Sequence, residues 1–393
     1  MAQLKVTESR TRPVVFAWTE AEDRPPKAKP SMAAPAYDRA AELRALDATF
    51  AGVHGLVAAE ATHVPRIFRV PDPPSKQPPQ EPPSEAPSVP VIDLGGSDRA
   101  ATVASVRRAA EEWGFFQVTG HGVPAQSTAA ALAAVQRFHE APGGEGSEKA
   151  RLHSREPGRA VKYHCNFDLH QSGVANWRDT LYLRMAPEPP LAADLPEPCR
   201  DALFEYAEQV RNLGNTLFGL LSEALGLNPS YLADMECNQG QIMLCHYFPP
   251  CPEPEVAIGT SRHSDSSFLT VLLQDQVGGL QVLHEDRWVA VAPAPGALVV
   301  NVGDLLQLVS NDGLRSVEHR VVLAKVAKEA RVSIACFFST HFHPASTRAY
   351  GPIRELVSED RPALYRETLV RDYVKHYYAI GLDAKTALSV FRL

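Results

Sequence analysis

Two pairs of polar residues interrupt strand-like apolar runs in the C-terminal half of the sequence. His263 and Asp265 begin the run "HSDSSFLTVLL", and Arg331 and Ser333 begin the run "RVSIACFF". Residues i and i+2 of a β-strand project from the same face, so each pair can act on one ligand. An imidazole beside a carboxylate can bind a metal ion, whereas an arginine beside a hydroxyl can bind a carboxylate.

A third metal ligand is needed because two protein ligands hold an ion weakly. The candidate is His319 in "SVEHRVVL". Two imidazoles and one carboxylate on one side of an ion form the ligand set of non-haem Fe(II) oxygenases, and they leave positions open for a cosubstrate and dioxygen. A keto acid could chelate such an iron while its far carboxylate meets the planar fork of Arg331. We therefore predict an iron site next to a keto-acid site.

Other groupings of potential metal ligands are weaker candidates. His284 and Asp286 lie between two short strand-like runs, where polar residues are typical of a hairpin turn. His341 and His343 follow the last core strand and have no evident third partner. The six cysteines are scattered without a CxxC pair, which favours reduced, mostly buried thiols in a reducing compartment.

The pattern of the chain changes from helical to β-rich near residue 239. Helical spacing dominates before it, and short apolar runs separated by turns follow it, as is typical of an all-β sandwich or barrel. A final helical tract is predicted near the C-terminus. The predicted regions are a disordered extension (1–36), an N-terminal segment with a Pro-rich linker (37–87), a mostly helical region (88–235), the β core (236–345) and a C-terminal helical tail (346–393).

Composition narrows the class of partner. The net charge of −7 provides no basic surface for nucleic acid, and no apolar run reaches the length of a membrane span. The N-terminus has no signal-peptide pattern. We expect a cytoplasmic monomer that acts on a small molecule.

Beyond these residues, the chain from about Tyr37 to Leu393 resembles the plant 2-oxoglutarate- and Fe(II)-dependent dioxygenases. The resemblance is carried by "VPVIDL", "WGFFQVTGHGV", "WRDTLYL", "YFPPCPEP", "RHSDSSFLTVLLQD", "PGALVVNVGDLLQLVSND", "SVEHRV" and "RVSIACFF". It implies an α+β fold with a mainly β core, a double-stranded β-helix or jelly roll, flanked by an N-terminal helical region and a C-terminal helix.

The same resemblance implies cofactors and site residues. Iron is expected at His263, Asp265 and His319, and 2-oxoglutarate at Arg331 and Ser333. Dioxygen is the oxidising cosubstrate, and ascorbate is a candidate reductant. The family usually reads Asn-Tyr-Tyr-Pro where this chain reads "HYFP", so Phe248 lacks the tyrosine hydroxyl that would reach the 2-oxoglutarate carboxylate. We expect weakened rather than abolished cosubstrate binding, because Arg331 retains the charge match.

A narrower resemblance concerns the subgroup and the substrate. "YDRAAELRALDATFAGVHGL" is similar to homologues of aminocyclopropane-carboxylate oxidase, and "WRDTL", "CPEP" and "FRL" resemble grass enzymes that hydroxylate benzoxazinoid glucosides. The predicted reaction is oxidation, as hydroxylation, of a small plant specialised metabolite, with decarboxylation of 2-oxoglutarate to succinate. Two alternatives remain: an ascorbate-dependent oxidase of a cyclic amino acid, and a non-catalytic binding protein on the same fold.

Three residues are predicted to line the substrate pocket. Phe337 lies four residues after Ser333 and therefore on the same strand face. Tyr163 and Asn166, in "KYHCNFDL", fall where relatives place a loop at the substrate mouth. The sequence does not identify the substrate.

Overall fold

Two β-sheets carry the predicted site. The computed structural model describes residues 37–71, 87–324, 329–340, 345–380 and 387–393, and residues 39–393 belong to one compact unit. The predicted extension (1–36), most of the Pro-rich linker and the His341/His343 pair lie outside the described residues. The strands are β1 (Val91–Asp93), β2 (Phe115–Thr119), β3 (Val161–Cys165), β4 (Asp179–Ala186), β5 (Gly240–Phe248), β6 (Thr260–His263), β7 (Leu269–Gln274), β8 (Leu280–His284), β9 (Arg287–Ala290), β10 (Leu298–Val302), β11 (His319–Val321), β12 (Arg331–Ser339), β13 (Ala349–Tyr350) and β14 (Thr368–Leu369).

The main sheet has eight strands in the order β1-β2-β10-β7-β12-β5-β4-β3, and the minor sheet has four in the order β6-β11-β8-β9. Apart from the parallel pair β1 and β2, neighbouring strands of both sheets run antiparallel. Apolar residues of the two sheets pack together in one buried cluster, which includes Phe115 and Phe248 of the main sheet and Val282 and Val321 of the minor sheet. This double-sheet core confirms the predicted jelly-roll class.

Several helices pack against the main sheet. The helices are α1 (Arg39–Ala48), α2 (Gly52–Ala58), α3 (Arg99–Glu112), α4 (Ala125–Glu140), α5 (Glu148–Leu152), α6 (Arg200–Ala224), α7 (Tyr231–Asp234), α8 (Asp304–Val309) and α9 (Val370–Ile380). Along α6, apolar residues recur at helical spacing and are buried, for example Leu203, Val210 and Leu217. Gly214 lets α6 approach strand β12 closely, because a Cβ there would come within 2.4 Å of the Phe338 ring.

The region 88–235 was predicted to be mostly helical. Besides its helices it contributes four strands, β1 to β4, and all four join the main sheet. A boundary at residue 236 therefore crosses a single sheet, because the strands that complete it come from distant parts of the sequence. Likewise, the tail 346–393 contains two short antiparallel strands, β13 and β14, before α9 begins at Val370.

The second histidine-aspartate pair lies at a hairpin turn, as predicted. His284 and Arg287 are paired across the turn that joins β8 to β9. Glu285 and Asp286 have φ values of 46° and 60°, which is the backbone conformation of a two-residue hairpin loop. The His284 ring stacks on Trp113 with ring centroids 3.7 Å apart. This histidine therefore packs against an aromatic ring instead of joining a metal cluster.

Candidate iron and 2-oxoglutarate site

Strands β6 and β11 bring the three predicted metal ligands together. His263 and His319 are directly paired across the minor sheet, with ring centroids 4.2 Å apart. Asp265 follows β6, and its Oδ1 lies 3.6 Å from Nε2 of His263 and 3.5 Å from Nε2 of His319. All three ligand atoms lie within 4.8 Å of one another, a grouping that could hold one metal ion.

Backbone carbonyls orient both imidazoles. Nδ1 of His263 donates to the Ser261 carbonyl at 2.8 Å, and Nδ1 of His319 donates to the Val317 carbonyl at 3.3 Å. Because Nδ1 carries the proton in each ring, Nε2 keeps a lone pair directed at the site. Burial lowers the pKa of His263, which favours the neutral, metal-binding form.

Asp265 is held by hydrogen bonds to one of its two oxygens. Its Oδ2 accepts from the Thr270 hydroxyl at 2.6 Å and from the Asn301 side-chain amide at 2.7 Å, which leaves Oδ1 facing the histidines. Burial works to raise the pKa of Asp265, but the charges of His319 and His263 and these hydrogen bonds outweigh it and lower that pKa. One carboxylate and two imidazoles form a ligand set that fits a ferrous ion.

Arg331 and Ser333 form the predicted anion clamp on β12. The Arg331 side chain is buried, and its Nη1 donates to the Ser333 hydroxyl at 2.9 Å. Nη2 and Nε donate to Gln274 Oε1 and the Gly278 carbonyl, at 3.2 and 2.6 Å. These three bonds fix the guanidinium plane and leave further N–H groups for a carboxylate. Burial lowers the pKa of Arg331 to about 10, so it remains a cation at neutral pH.

Phe248 lies beside this clamp, where the sequence placed it. It is the β5 partner of Arg331, and its ring centroid is 4.9 Å from the guanidinium carbon. A phenylalanine here supplies a cation–π contact but no hydrogen bond. His246, two residues earlier, is paired with Ser333, and its Nδ1 lies 3.0 Å from the Thr180 hydroxyl. Burial holds the pKa of His246 well below its usual range, so this imidazole is neutral.

Phe337 shares the inner face of β12 with Ser333, as predicted, and is paired with Thr270, which hydrogen-bonds Asp265. It remains partly exposed, unlike most of β12. Phe337 is thus paired with a residue that positions a metal ligand, and its contact with a substrate stays a prediction.

The structure corrects the prediction for Tyr163. The pairings of His164 with Thr180, and of Thr180 with His246, place His164 on the inner face of the main sheet. Its neighbour Tyr163 therefore points to the opposite face, where it packs against Phe138 of α4. The loop expected at this position is strand β3, and strand alternation turns Tyr163 away from the metal ligands.

Asn166 supports the site without facing it. It has a φ of 55°, and its side-chain amide exchanges two hydrogen bonds with the backbone of Asn176, at 2.8 and 3.0 Å. The side chain of Asn176 in turn accepts from both the backbone N–H and the hydroxyl of Ser261, whose carbonyl orients His263. Asn166 thus shapes the β3–β4 loop, and its amide is already used.

A second group of supporting residues, which no sequence signal predicted, lies on helix α9. The Tyr377 hydroxyl donates to the carbonyl of Ser264, between the two ligands His263 and Asp265. The Tyr373 hydroxyl donates to Asp304, which also accepts from Ser264. No local motif marks these two tyrosines, because they lie more than one hundred residues after Ser264 in the sequence. Asn301 did carry a signal, a single amide inside the buried run "LVVNV".

An open set of two histidines and one carboxylate between the sheets of a double-stranded β-helix defines the class of non-haem iron oxygenases. The sequence comparisons agree with this class. Residues 239–340 match the 2OG-Fe(II) oxygenase superfamily, and residues 89–201 match the N-terminal domain of "non-haem dioxygenase in morphine synthesis". The chain belongs to the 2OG-Fe(II) oxygenase superfamily.

Similar proteins from plants narrow this assignment. The chain is 50% identical over 368 residues to 1-aminocyclopropane-1-carboxylate oxidase homolog 2 of Arabidopsis thaliana, a match that covers 92% of this chain and 98% of the relative. Homolog 3 of the same plant is 50% identical over 369 residues, and this match covers 91% of this chain and 98% of the relative. The chain is thus similar to the homologue subgroup over nearly its whole length.

Two solved structures of similar proteins support the expected cofactors, and one of them contains both 2OG and Fe. The structure of JOX2 in complex with 2OG, Fe and JA matches with a TM-score of 0.75 at 29% identity, over 87% of this chain and 97% of that one. A rice dioxygenase for auxin oxidation matches with a TM-score of 0.64 at 31% identity, over 78% and 100% of the two chains. The protein is a 2-oxoglutarate-dependent dioxygenase that uses Fe(II), 2-oxoglutarate and O2.

Proposed function

We propose that this dioxygenase hydroxylates a small plant specialised metabolite, with iron bound by His263, Asp265 and His319 and 2-oxoglutarate docked on Arg331 and Ser333. The proposal rests on one observation: the metal ligands of the minor sheet and the anion clamp of the main sheet lie between the two sheets. Three ligand atoms lie within 4.8 Å of one another, and a buried guanidinium and an open aromatic ring lie on the neighbouring strand of the main sheet.

In the overall reaction one oxygen atom of O2 enters a substrate C–H bond, giving C–OH, while the other oxidises 2-oxoglutarate to succinate and CO2. When bound, iron would activate O2, which is the oxidant, and 2-oxoglutarate would supply two of the four electrons that O2 takes up, the substrate C–H bond supplying the other two. The residues of the chain provide the positions: Arg331 fixes the far carboxylate of the cosubstrate, and Phe337 packs against the substrate beside Asp265. The apolar cluster between the sheets excludes water from the reacting atoms.

Similar proteins support a small organic substrate. The JOX2 structure holds JA together with 2OG and Fe, and the rice relative is a dioxygenase for auxin oxidation. Both are proteins that act on or bind small plant molecules. We therefore extend this class of substrate, though not these particular compounds, to the present chain. We also propose that the chain acts as a monomer.

The proposal is tested by a metabolite screen with iron-loaded protein. A panel of plant metabolites that includes benzoxazinoid glucosides is incubated with and without 2-oxoglutarate, and products are detected by a mass gain of one oxygen. We expect one succinate per product, and no product from the Asp265→Ala variant. Product formed with ascorbate but without succinate would instead support an aminocyclopropane-carboxylate-oxidase type of reaction. Binding without turnover in both proteins would contradict the proposal.

A further inference from the structure

We infer that Arg178 binds an anionic group of the substrate, so that the oxidised metabolite is an organic acid. This inference rests on the proposed function and adds the chemical class of the substrate. Arg178 immediately precedes strand β4 and is 6% exposed. Its Nη1 donates to the Thr260 hydroxyl of β6 at 2.9 Å, so the guanidinium spans from the main sheet to the minor sheet.

An irregularity in β6 places this contact inside the fold. His263 pairs with His319 and Thr260 pairs with Val321, so three steps along β6 match two along β11. The extra residue is a β-bulge, and it brings Thr260 and His263 to the same face of the strand. The guanidinium that reaches Thr260 consequently lies on the side of the minor sheet that carries His263 and His319.

The cation is incompletely matched by the protein. Among the described residues, Arg178 Nε has no hydrogen-bond partner, and no carboxylate oxygen lies within 4.0 Å of the guanidinium. Burial lowers the pKa of Arg178, while the more distant charges of Asp168 and Asp179 raise it. The Asp179 oxygens already accept from the backbone N–H groups of Val53 and His54. A buried guanidinium with unused donors is costly unless an anion meets it.

The cosubstrate is not that anion. From Ser333, the inner face runs across β5 at His246 to Thr180 on β4, and Arg178 lies two residues before Thr180. Two strand spacings separate the ends of this path, about 10 Å. A keto acid that spans the metal ligands and Arg331 would therefore leave Arg178 free for a second anion. The neutral His246 lies between the two arginines and separates the two anion positions.

Binding to the anaerobic Fe(II)–2-oxoglutarate complex tests the inference. The probes are aromatic and alicyclic monocarboxylates, each compared with its primary amide, and affinities are measured by calorimetry. The variants are Arg178→Gln, Arg178→Lys and, as a matched control, Arg262→Gln. Arg262 lies on β6, the strand that Arg178 contacts through Thr260, but it is exposed and pairs with Glu318. The affinity for 2-oxoglutarate is measured in every protein as a separate readout.

We expect at least one acid to bind wild type about tenfold or more tightly than its amide, the discrimination that one charge-assisted hydrogen bond supplies. Arg178→Gln should lose this preference and keep its 2-oxoglutarate affinity, Arg178→Lys should keep part of it, and Arg262→Gln should match wild type. The inference is overturned if no acid is preferred over its amide, if Arg178→Gln retains the preference, or if that variant loses 2-oxoglutarate instead. A protein that binds 2-oxoglutarate but shows no acid preference leaves the proposed function intact.

Discussion

Asp265 presents one carboxylate oxygen to the site because the other is occupied. Thr270 and Asn301, on the two adjacent strands β7 and β10, both donate to Oδ2. Their hydrogen bonds favour the ionised carboxylate and prevent it from rotating. Residues that orient a metal ligand in this way commonly affect metal affinity nearly as strongly as a ligand does.

Replacing Thr270 by valine should therefore weaken iron binding by about tenfold to a hundredfold, the usual range for partners of metal ligands. The valine keeps the shape of threonine but leaves Oδ2 with one donor. Fe(II) affinity is measured anaerobically by competition with a chelator. Thr216→Val, on the exposed face of α6, is the control, and we expect wild-type affinity from it. Equal affinities in the two variants would show that Thr270 does not position the carboxylate.

Phe248 offers a gain-of-affinity test at the cosubstrate clamp. Tyrosine at this position would place a hydroxyl beside Arg331, its partner across the strands. A hydrogen bond to a charged group contributes about 1.5–3 kcal/mol, so Phe248→Tyr should tighten 2-oxoglutarate binding by about tenfold or more. Phe204→Tyr on helix α6 serves as control. If Phe248→Tyr binds 2-oxoglutarate no better than wild type, the phenylalanine does not limit affinity.

At the scale of elements, short segments far apart in sequence converge on the loop between the ligands. Helix α9 contributes the Tyr377 bond to the Ser264 carbonyl, and α8 begins at Asp304, which joins Tyr373 to Ser264. The amphipathic pattern predicts the C-terminal helix, but it does not predict which tyrosines reach the site. That choice depends on how α9 packs against Ser264 and Asp304, which are distant in sequence.

Strand β4 anchors the N-terminal segment through Asp179. This carboxylate is fully buried and accepts the backbone N–H groups of Val53 and His54 in the first turn of α2. Burial raises the pKa of Asp179 from 3.8 to about 6, although the two hydrogen bonds oppose the shift. The folded state therefore binds the proton more tightly than the unfolded chain does.

The pH dependence of stability follows from this difference. Stability contributed by protonated Asp179 is fully present below pH 4 and is lost as the pH rises through 6, because the folded pKa is the higher one. Relative to Asp179→Asn, the free energy of unfolding of wild type should decline by up to about 3 kcal/mol between pH 4 and 7, at 1.36 kcal/mol per pKa unit. Urea unfolding across this range measures it. If the free energies of unfolding of the two proteins changed equally with pH, the raised pKa of Asp179 would be ruled out.

At the scale of the whole molecule, the sequence predicted the positions of site residues that depend on alternation within a strand. It did not predict the positions that depend on how strands pair. Arg331, Ser333 and Phe337 lie on one face of β12, as their spacing predicts. Asp265 lies just beyond the end of β6 instead of on that strand, yet it is still grouped with His263. Tyr163 failed because its segment is a strand rather than a loop, and in a strand one residue of difference reverses the face. The β6 bulge that brings Thr260 inward is likewise set by pairing with β11.

The order of the strands in the main sheet could not be predicted from the sequence pattern either. Strands β1 to β4 precede helix α6, yet they occupy both ends of the main sheet, with β5, β7, β10 and β12 between them. Such long-range pairing is fixed by burial on both sides of the central strands. Strand β10, buried along its whole length, is the clearest case.

We propose that three side chains from the minor sheet and its following loop bind one ferrous ion, on which 2-oxoglutarate docks. Anaerobic titration with Fe(II) in the presence of 2-oxoglutarate, followed by the visible charge-transfer absorption of the complex, is the decisive test. We expect one Fe(II) per chain in wild type and in His284→Ala, whose histidine stacks on Trp113 at the hairpin. We expect no such complex in His319→Ala at the same iron concentration. Wild-type titration behaviour of His319→Ala would contradict the account.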